Sequence, residues 1–179
     1  AVHVWPPGEA TPTVPSLVIR AGSHAAGTKT FSKMASRTRK RRERRNSRRD
    51  MRIALQKHTN YDKLRIEQKI KESLAEVNMQ GTENKMPSEL SGGMKKRVGI
   101  ARAIALNPSY MLYDEPTTGL DPIMTDSMNK LITKFHIRGD VTSVIVTHEM
   151  KTVINVSDRV IMLHNNKIQF NGPTSELFA

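Results

Sequence analysis

Two rhythms of apolar and polar positions run through this chain, one near 3.6 residues and one of short unbroken apolar runs, and their order predicts its elements. Ile66, Ile70, Leu74 and Val77 recur at i, i+4, i+8 and i+11, one stripe of a helix that Gly81 and Pro87 close. A second helix opens at Ser91 and runs to about Leu106. Met94, Val98, Ile100, Ala101, Ile104 and Ala105 face inward, Lys95, Lys96, Arg97 and Arg102 face water, and Asn107-Pro108 stops it. "YMLYDE" reads as a buried strand ending in two carboxylates, and "TSVIVTHE" as another ending in a polar pair. Between them a helix follows Pro122, with Met124, Met128, Leu131, Ile132 and Phe135 on one face. "RVIML" and "KIQF" flank "HNN", where Asn165-Asn166 accept a positive φ, so a hairpin is expected. Strands alternating with helices predict an α/β domain with a mainly parallel sheet.

Charge redraws this picture at the N-terminal side. The formal balance is +12 over 179 residues, but residues 1–52 carry 13 Lys/Arg against Glu9, Glu43 and Asp50, while the remainder holds 16 against 14. Residues 1–30 are rich in proline and small residues. "RTRKRRERRNSRRDMR" then places ten basic residues in sixteen positions, a self-repelling block that favours disorder without a polyanion. A nucleic-acid or anionic-membrane patch, an Arg-rich targeting segment and a run with no selected role all fit it. The expected division is a basic, disordered segment at 1–52 and a compact domain at 53–179. The absence of cysteine excludes disulfides and thiolate zinc sites. The six histidines lack ligand spacing, and no apolar run approaches the ~18 residues of a membrane span. The chain begins with alanine, so a fragment or processed product is expected.

The candidate chemistry lies at the element ends. Ser91-Gly92-Gly93 at a helix start suits an anion, because the first N–H groups of a helix have no partners of their own; it equally suits a plain N-cap. Asp114 and Glu115 end one strand, and Thr147 and His148 another, where ligands of parallel sheets collect. One of two adjacent carboxylates can hold Mg²⁺ through water while the other takes a proton from an attacking water; a solvated turn is the bland alternative. For His148 the bland alternative is a satisfied structural histidine.

In combination, "LSGGMKKR", "YMLYDEPTTGLDP" and "VTHE", in this order and at these intervals, resemble the nucleotide-binding domain of ABC transporters. The resemblance runs from about Arg52 to Ala179. It implies a partial P-loop NTPase fold with a helical signature subdomain, and ATP with Mg²⁺ as cofactors. It makes Leu90 to Met94 the signature, Tyr110 to Asp114 the Walker B strand with Asp114 at the metal, Glu115 the catalytic base, Gly119 to Asp121 the D-loop and His148 the switch histidine. Ser91, Gly92, Gly93 and Asp121 would serve nucleotide held on a facing subunit, the glycines because any Cβ would hold the backbone away. "QKHTNYDK" and "NKMPSELSGGMKKRVGIARAIALNP" look like the lipid-trafficking (Mla/Mce-type) ABC ATPases. That implies a second ATPase subunit, a transmembrane permease and a lipid-binding protein as partners, and a position on the cytoplasmic face of the membrane.

One departure accompanies the match. The family carries a G-x-x-x-x-G-K-[ST] phosphate loop before the signature and a glutamine-bearing loop between the two. The nearest stretch, "GSHAAGTKT" at Gly22 to Thr30, inserts Thr28 before Lys29, and Gln56 and Gln68 are poor candidates for the glutamine. The expected reading is therefore the C-terminal portion of an ABC ATPase, inactive alone, joined to an unrelated segment. Its alternatives are a non-hydrolysing half-site that lends its signature to an intact partner, and a nucleic-acid-associated ABC ATPase using the Arg-rich arm. Without the phosphate-loop strand, expected beside the strand ending at Asp114, "YMLY" and "SVIV" would be left with unpaired edges, and residues 1–52 offer only "LVI" as a short substitute.

Overall fold

A computed structural model describes residues 2–5, 17–21, 46–138, 141–165 and 167–177, with backbone alone for the first two stretches. The chain divides into two compact units, one of residues 1–22 and 107–179 and one of residues 23–106.

The first unit is built on a six-stranded sheet. Its strands are β1 (Val2–Trp5), β2 (Leu17–Ala21), β3 (Tyr110–Asp114), β4 (Thr142–Val146), β5 (Arg159–His164) and β6 (Lys167–Pro173), in the order β1-β3-β4-β2-β5-β6. The four inner strands β3, β4, β2 and β5 are parallel, and β1 and β6 close the edges antiparallel. The mainly parallel sheet stands, but its completion differs from expectation. Leu17–Ala21 fills the slot between β4 and β5, and β1 covers the far side of β3. The inner strand from the N-terminal side is thus one strand removed from β3, and neither "YMLY" nor "SVIV" is left unpaired. A short apolar "LVI" suffices because a strand flanked on both sides is held by two ladders at once.

The hairpin of β5 and β6 turns at Asn165, whose φ is 49°. Asn166 lies outside the described residues. Beside the sheet strands run α4 (Pro122–Ile137) and α5 (Met150–Val156). On α4, Met128, Leu131, Ile132 and Phe135 are buried as its stripe predicts.

The described part of the second unit is helical, with α1 (Ser47–His58), α2 (Lys63–Glu76) and α3 (Gly92–Ile104). The stripe Ile66, Ile70, Leu74 and Val77 is fully inside, joined by Met51 and Leu55 of α1. Arg52, where a domain boundary was expected, falls within α1. Of the last three basic residues of the block, Arg48, Arg49 and Arg52, the first and third grip the Glu67 carboxylate; the Arg48 Nη2 contact is 2.6 Å. Burial pushes Glu67 up, but these two guanidiniums outweigh it and hold the carboxyl below its ordinary range. Residues 37–45 of the block lie outside the described residues. Arg97 is a correction. Expected in water, it is 7% exposed and donates to the Val77 carbonyl at 2.8 Å, satisfying the end of α2.

Candidate functional site

All four parallel strands point the same way, so their carboxyl ends share one edge of the sheet. Asp114 ends β3 opposite Val146, the end of β4. The chain then makes one more backbone bond across, Glu115 N–H to Val146 C=O at 2.8 Å, and this holds Glu115 in the left-handed region at φ 49°. Among the described residues the other positive-φ positions are Asn or Gly, which adopt that region readily; a glutamate does so at a cost of about 1–2 kcal/mol. An apolar strand followed by a turn rich in threonine and glycine folds this way because nothing after Asp114 continues the apolar run.

Glu115 and His148, 33 positions apart, meet there. The Nδ1 of His148 lies 2.7 Å from Oε1 of Glu115, and because a carboxylate only accepts, Nδ1 carries the proton. The hydroxyl of Thr118 donates to Oε2 at 2.5 Å. Burial pushes the Glu115 carboxyl up; the donors on both oxygens, together with the charge of the imidazole, outweigh it and hold the group below its ordinary range. Thr147 is buried and its hydroxyl accepts from the Glu149 N–H at 3.1 Å, which shapes the turn that presents His148.

Asp114 is exposed at the strand end. A single exposed carboxylate suits Mg²⁺ that keeps most of its waters and takes its other oxygens from phosphate. Among the described residues no group of three or more His, Asp or Glu forms a closed metal cage. Asp121 serves its own chain as the N-cap of α4, accepting from the Met124 N–H at 2.9 Å.

In the other unit Ser91 is the N-cap of α3 and accepts from the Met94 N–H at 3.2 Å. Gly92 and Gly93 form its first turn; Gly93 is buried, whereas a Cβ on Gly92 would meet nothing within 4 Å. Among the described residues no packing asks for glycine at Gly92. Gln56 is exposed on α1, and Gln68 donates to Glu72 at 2.8 Å, so neither occupies a special loop. "GSHAAGTKT" lies outside the described residues, although β2 ends at Ala21, immediately before it.

Sequence reasoning missed two participants. Thr118 holds Glu115, and Thr117, fully buried, shares a 2.9 Å hydrogen bond with the equally buried Thr152 of α5. The run "EPTTG" carried the signal, since adjacent threonines in a turn after a strand face opposite environments. A groove of about 590 Å³ along α4, lined by Asp126, Asn129, Lys130, Thr133 and Asn155 among others, contains none of the expected site residues.

Residues 15–118, more than half of the chain, match the family model described as ABC transporter, so the match begins well ahead of Arg52. Over 118 residues the chain is 42% identical to a methionine import ATP-binding protein of Staphylococcus haemolyticus, covering 66% of this chain and 35% of that protein. Over 113 residues it is 41% identical to an ABC transporter ATP-binding protein of Pyrococcus furiosus, covering 63% and 43%. The chain thus spans about a third of the length of the methionine-import relative. A solved metal-chelate type ABC transporter in an inward-facing conformation is similar with a TM-score of 0.69 at 20% identity, over 93% of this chain and 61% of that chain, which bears on fold alone. These relatives give no support to the expected lipid-trafficking type. No helix among the described residues is long and apolar enough to cross a membrane.

Proposed function

This chain belongs to the ABC transporter family, and on that footing we propose that it is an ATP-binding subunit whose Glu115 acts as general base in ATP hydrolysis. The observation that carries the proposal is the contact between Glu115 and His148 at the carboxyl edge of a parallel sheet, supported by the strained backbone that holds Glu115 there. In the proposed step a water O–H bond breaks, its proton passes to Glu115, and its oxygen bonds the γ-phosphorus as the bond to ADP breaks and ADP leaves with the electron pair. Bound Mg²⁺ would neutralise phosphate charge, with Asp114 holding its water shell. His148 would hydrogen-bond the γ-phosphate once released from Glu115.

Ser91, Gly92 and Gly93 would serve ATP on a facing subunit, and Asp121 would meet that subunit beside the nucleotide. The open space at Gly92 supports this reading, because none of the described residues of its own chain requires the glycine. The same observation favours a second reading, a half-site that lends its signature without turnover of its own. The proposed setting is a pair of ATPase subunits beneath a permease, on the cytoplasmic face of the membrane. For the cargo, the named relatives favour methionine over the lipid that "QKHTNYDK" suggested.

Calorimetry of the full chain with Mg-ATP, followed by hydrolysis assays of Glu115→Gln, tests the proposal. Binding retained with hydrolysis lost supports it. Absence of Mg-ATP binding leaves only the second reading, and hydrolysis that survives Glu115→Gln removes the general-base role. In the reconstituted transporter, stimulation of hydrolysis by methionine or by phospholipid separates the two cargoes.

A further inference from the structure

Glu115 is held from two sides that differ in kind. The Thr118 bond spans three positions inside a turn, where Gly119 takes φ 74° and the Leu120 N–H bonds the Thr117 carbonyl at 3.1 Å. The turn is anchored beneath by the buried Thr117–Thr152 hydroxyl pair, which ties it to α5, the helix that starts two residues after His148. A hydrogen bond inside a braced turn costs little further ordering to keep. The His148 side-chain bond crosses 33 positions, and the imidazole is 58% exposed, so the ring can swing away without disturbing the core while the His148 backbone N–H stays on the carboxylate.

From this asymmetry we infer that Thr118 is a positioning residue for Glu115: its hydroxyl keeps Oε2 in place while Oε1 exchanges His148 for water. Each carboxylate oxygen keeps a lone pair beside the one its side-chain donor occupies, and departure of the imidazole frees a further lone pair on Oε1. With Thr118 staying, the lone pair that the imidazole gives up lies on Oε1, and the direction it offers to water is fixed by the bond on Oε2. The second clause of the inference rests on the ATPase reading above, and the first on the geometry of the turn alone.

The test is the pH titration of the Glu115 side-chain carboxyl, followed by ¹³C NMR in the full chain, for Thr118→Val and Thr118→Ser. Loss of the hydroxyl removes a donor to the charged form, so Thr118→Val is expected to move the midpoint upward, while Thr118→Ser keeps it where the unsubstituted chain has it. A Thr118→Val midpoint equal to that of the unsubstituted chain, or a Thr118→Ser midpoint that moves with Thr118→Val, overturns the inference. Should Thr118→Val lose its cooperative melt, Thr118→Ala replaces it in the same comparison. In the assembled transporter Thr118→Val is expected to lower kcat by about tenfold with KM unchanged, as for a misaimed base. An equal kcat in Thr118→Val and the unsubstituted protein overturns the exchange at Oε1. If the unsubstituted protein hydrolyses nothing, the ATPase reading and with it the exchange fail, while the titration still decides the positioning.

Discussion

At the carboxyl edge of the sheet Glu115 has a donor on each oxygen from its own chain, whereas at the start of α3 Ser91 caps its own helix and Gly92 borders open space. The first region is self-completing: strand register, a strained residue, two threonines and a histidine account for one another. In the second, local structure explains the serine and leaves the glycine at Gly92 unexplained, since alanine would fit and favour the helix. Gly99 of the same helix also borders open space, so it is the place of Gly92 beside the Ser91 cap that makes it a candidate for a reader outside the chain. The two regions therefore call for different experiments, one on bonds within the chain and one on effects felt by a partner.

The comparison breaks most visibly at Glu115. Glu115→Gln should lower hydrolysis by ~10²–10⁴-fold in the assembled protein while leaving Mg-ATP binding in place; an equally large loss of binding would mean that the sheet-end cluster is structural. The same variant should flatten the acid limb of stability. The Glu115 carboxyl sits below its ordinary range when folded, so its contribution is present above the unfolded value and is lost as pH falls through the folded one. Thermal melts across that window check the sign.

Next comes the anchor. Thr117→Val leaves the Thr152 hydroxyl buried without its partner, which should cost about 1–3 kcal/mol in a denaturant melt, and Thr117→Ser should recover most of it. A smaller effect belongs to the other region. Ser91→Ala removes an N-cap worth about 1 kcal/mol, whereas Ser91→Asp keeps the cap but places a charge where a facing phosphate would sit. A Ser91→Asp variant of full stability that silences partner turnover separates the two roles of that side chain. The smallest change in stability is expected from Gly92→Ala, neutral or stabilising by up to about 1 kcal/mol in the chain alone. A clear loss of stability there would show that the chain itself demands the glycine and would erase the contrast.

Much of this was legible in the sequence, because period is local information. The stripe from Ile66 to Val77, the strands "YMLYD" and "TSVIV" and the turn at Asn165 follow from spacing and residue type. What escaped depends on partners far along the chain. Arg97 was placed in water by the rule for basic residues on an amphipathic helix, yet its acceptor is a carbonyl at the end of α2. Arg48 and Arg52 read as two charges in a solvated block until Glu67 arrives from the next helix. The family resemblance singled out Glu115 and His148 as separate site residues, while their contact and the part of Thr118 needed the geometry of the strand ends and the turn.

The place of β2 has a kinetic side. Leu17 pairs with Val144 on one flank and with Arg159 on the other, so the centre of the sheet is assembled from the two extremes of the chain. Pairings at such separation must pay loop-closure entropy before they return any energy, and folding rates fall as such contacts dominate. On a ribosome, β3 and β4 would emerge long after β2 and would wait for β5 before the slot between them closes. Segments with unpaired apolar strands are the ones that aggregate or recruit chaperones. A chain of this topology should refold slowly from denaturant, and its yield should fall steeply as protein concentration rises.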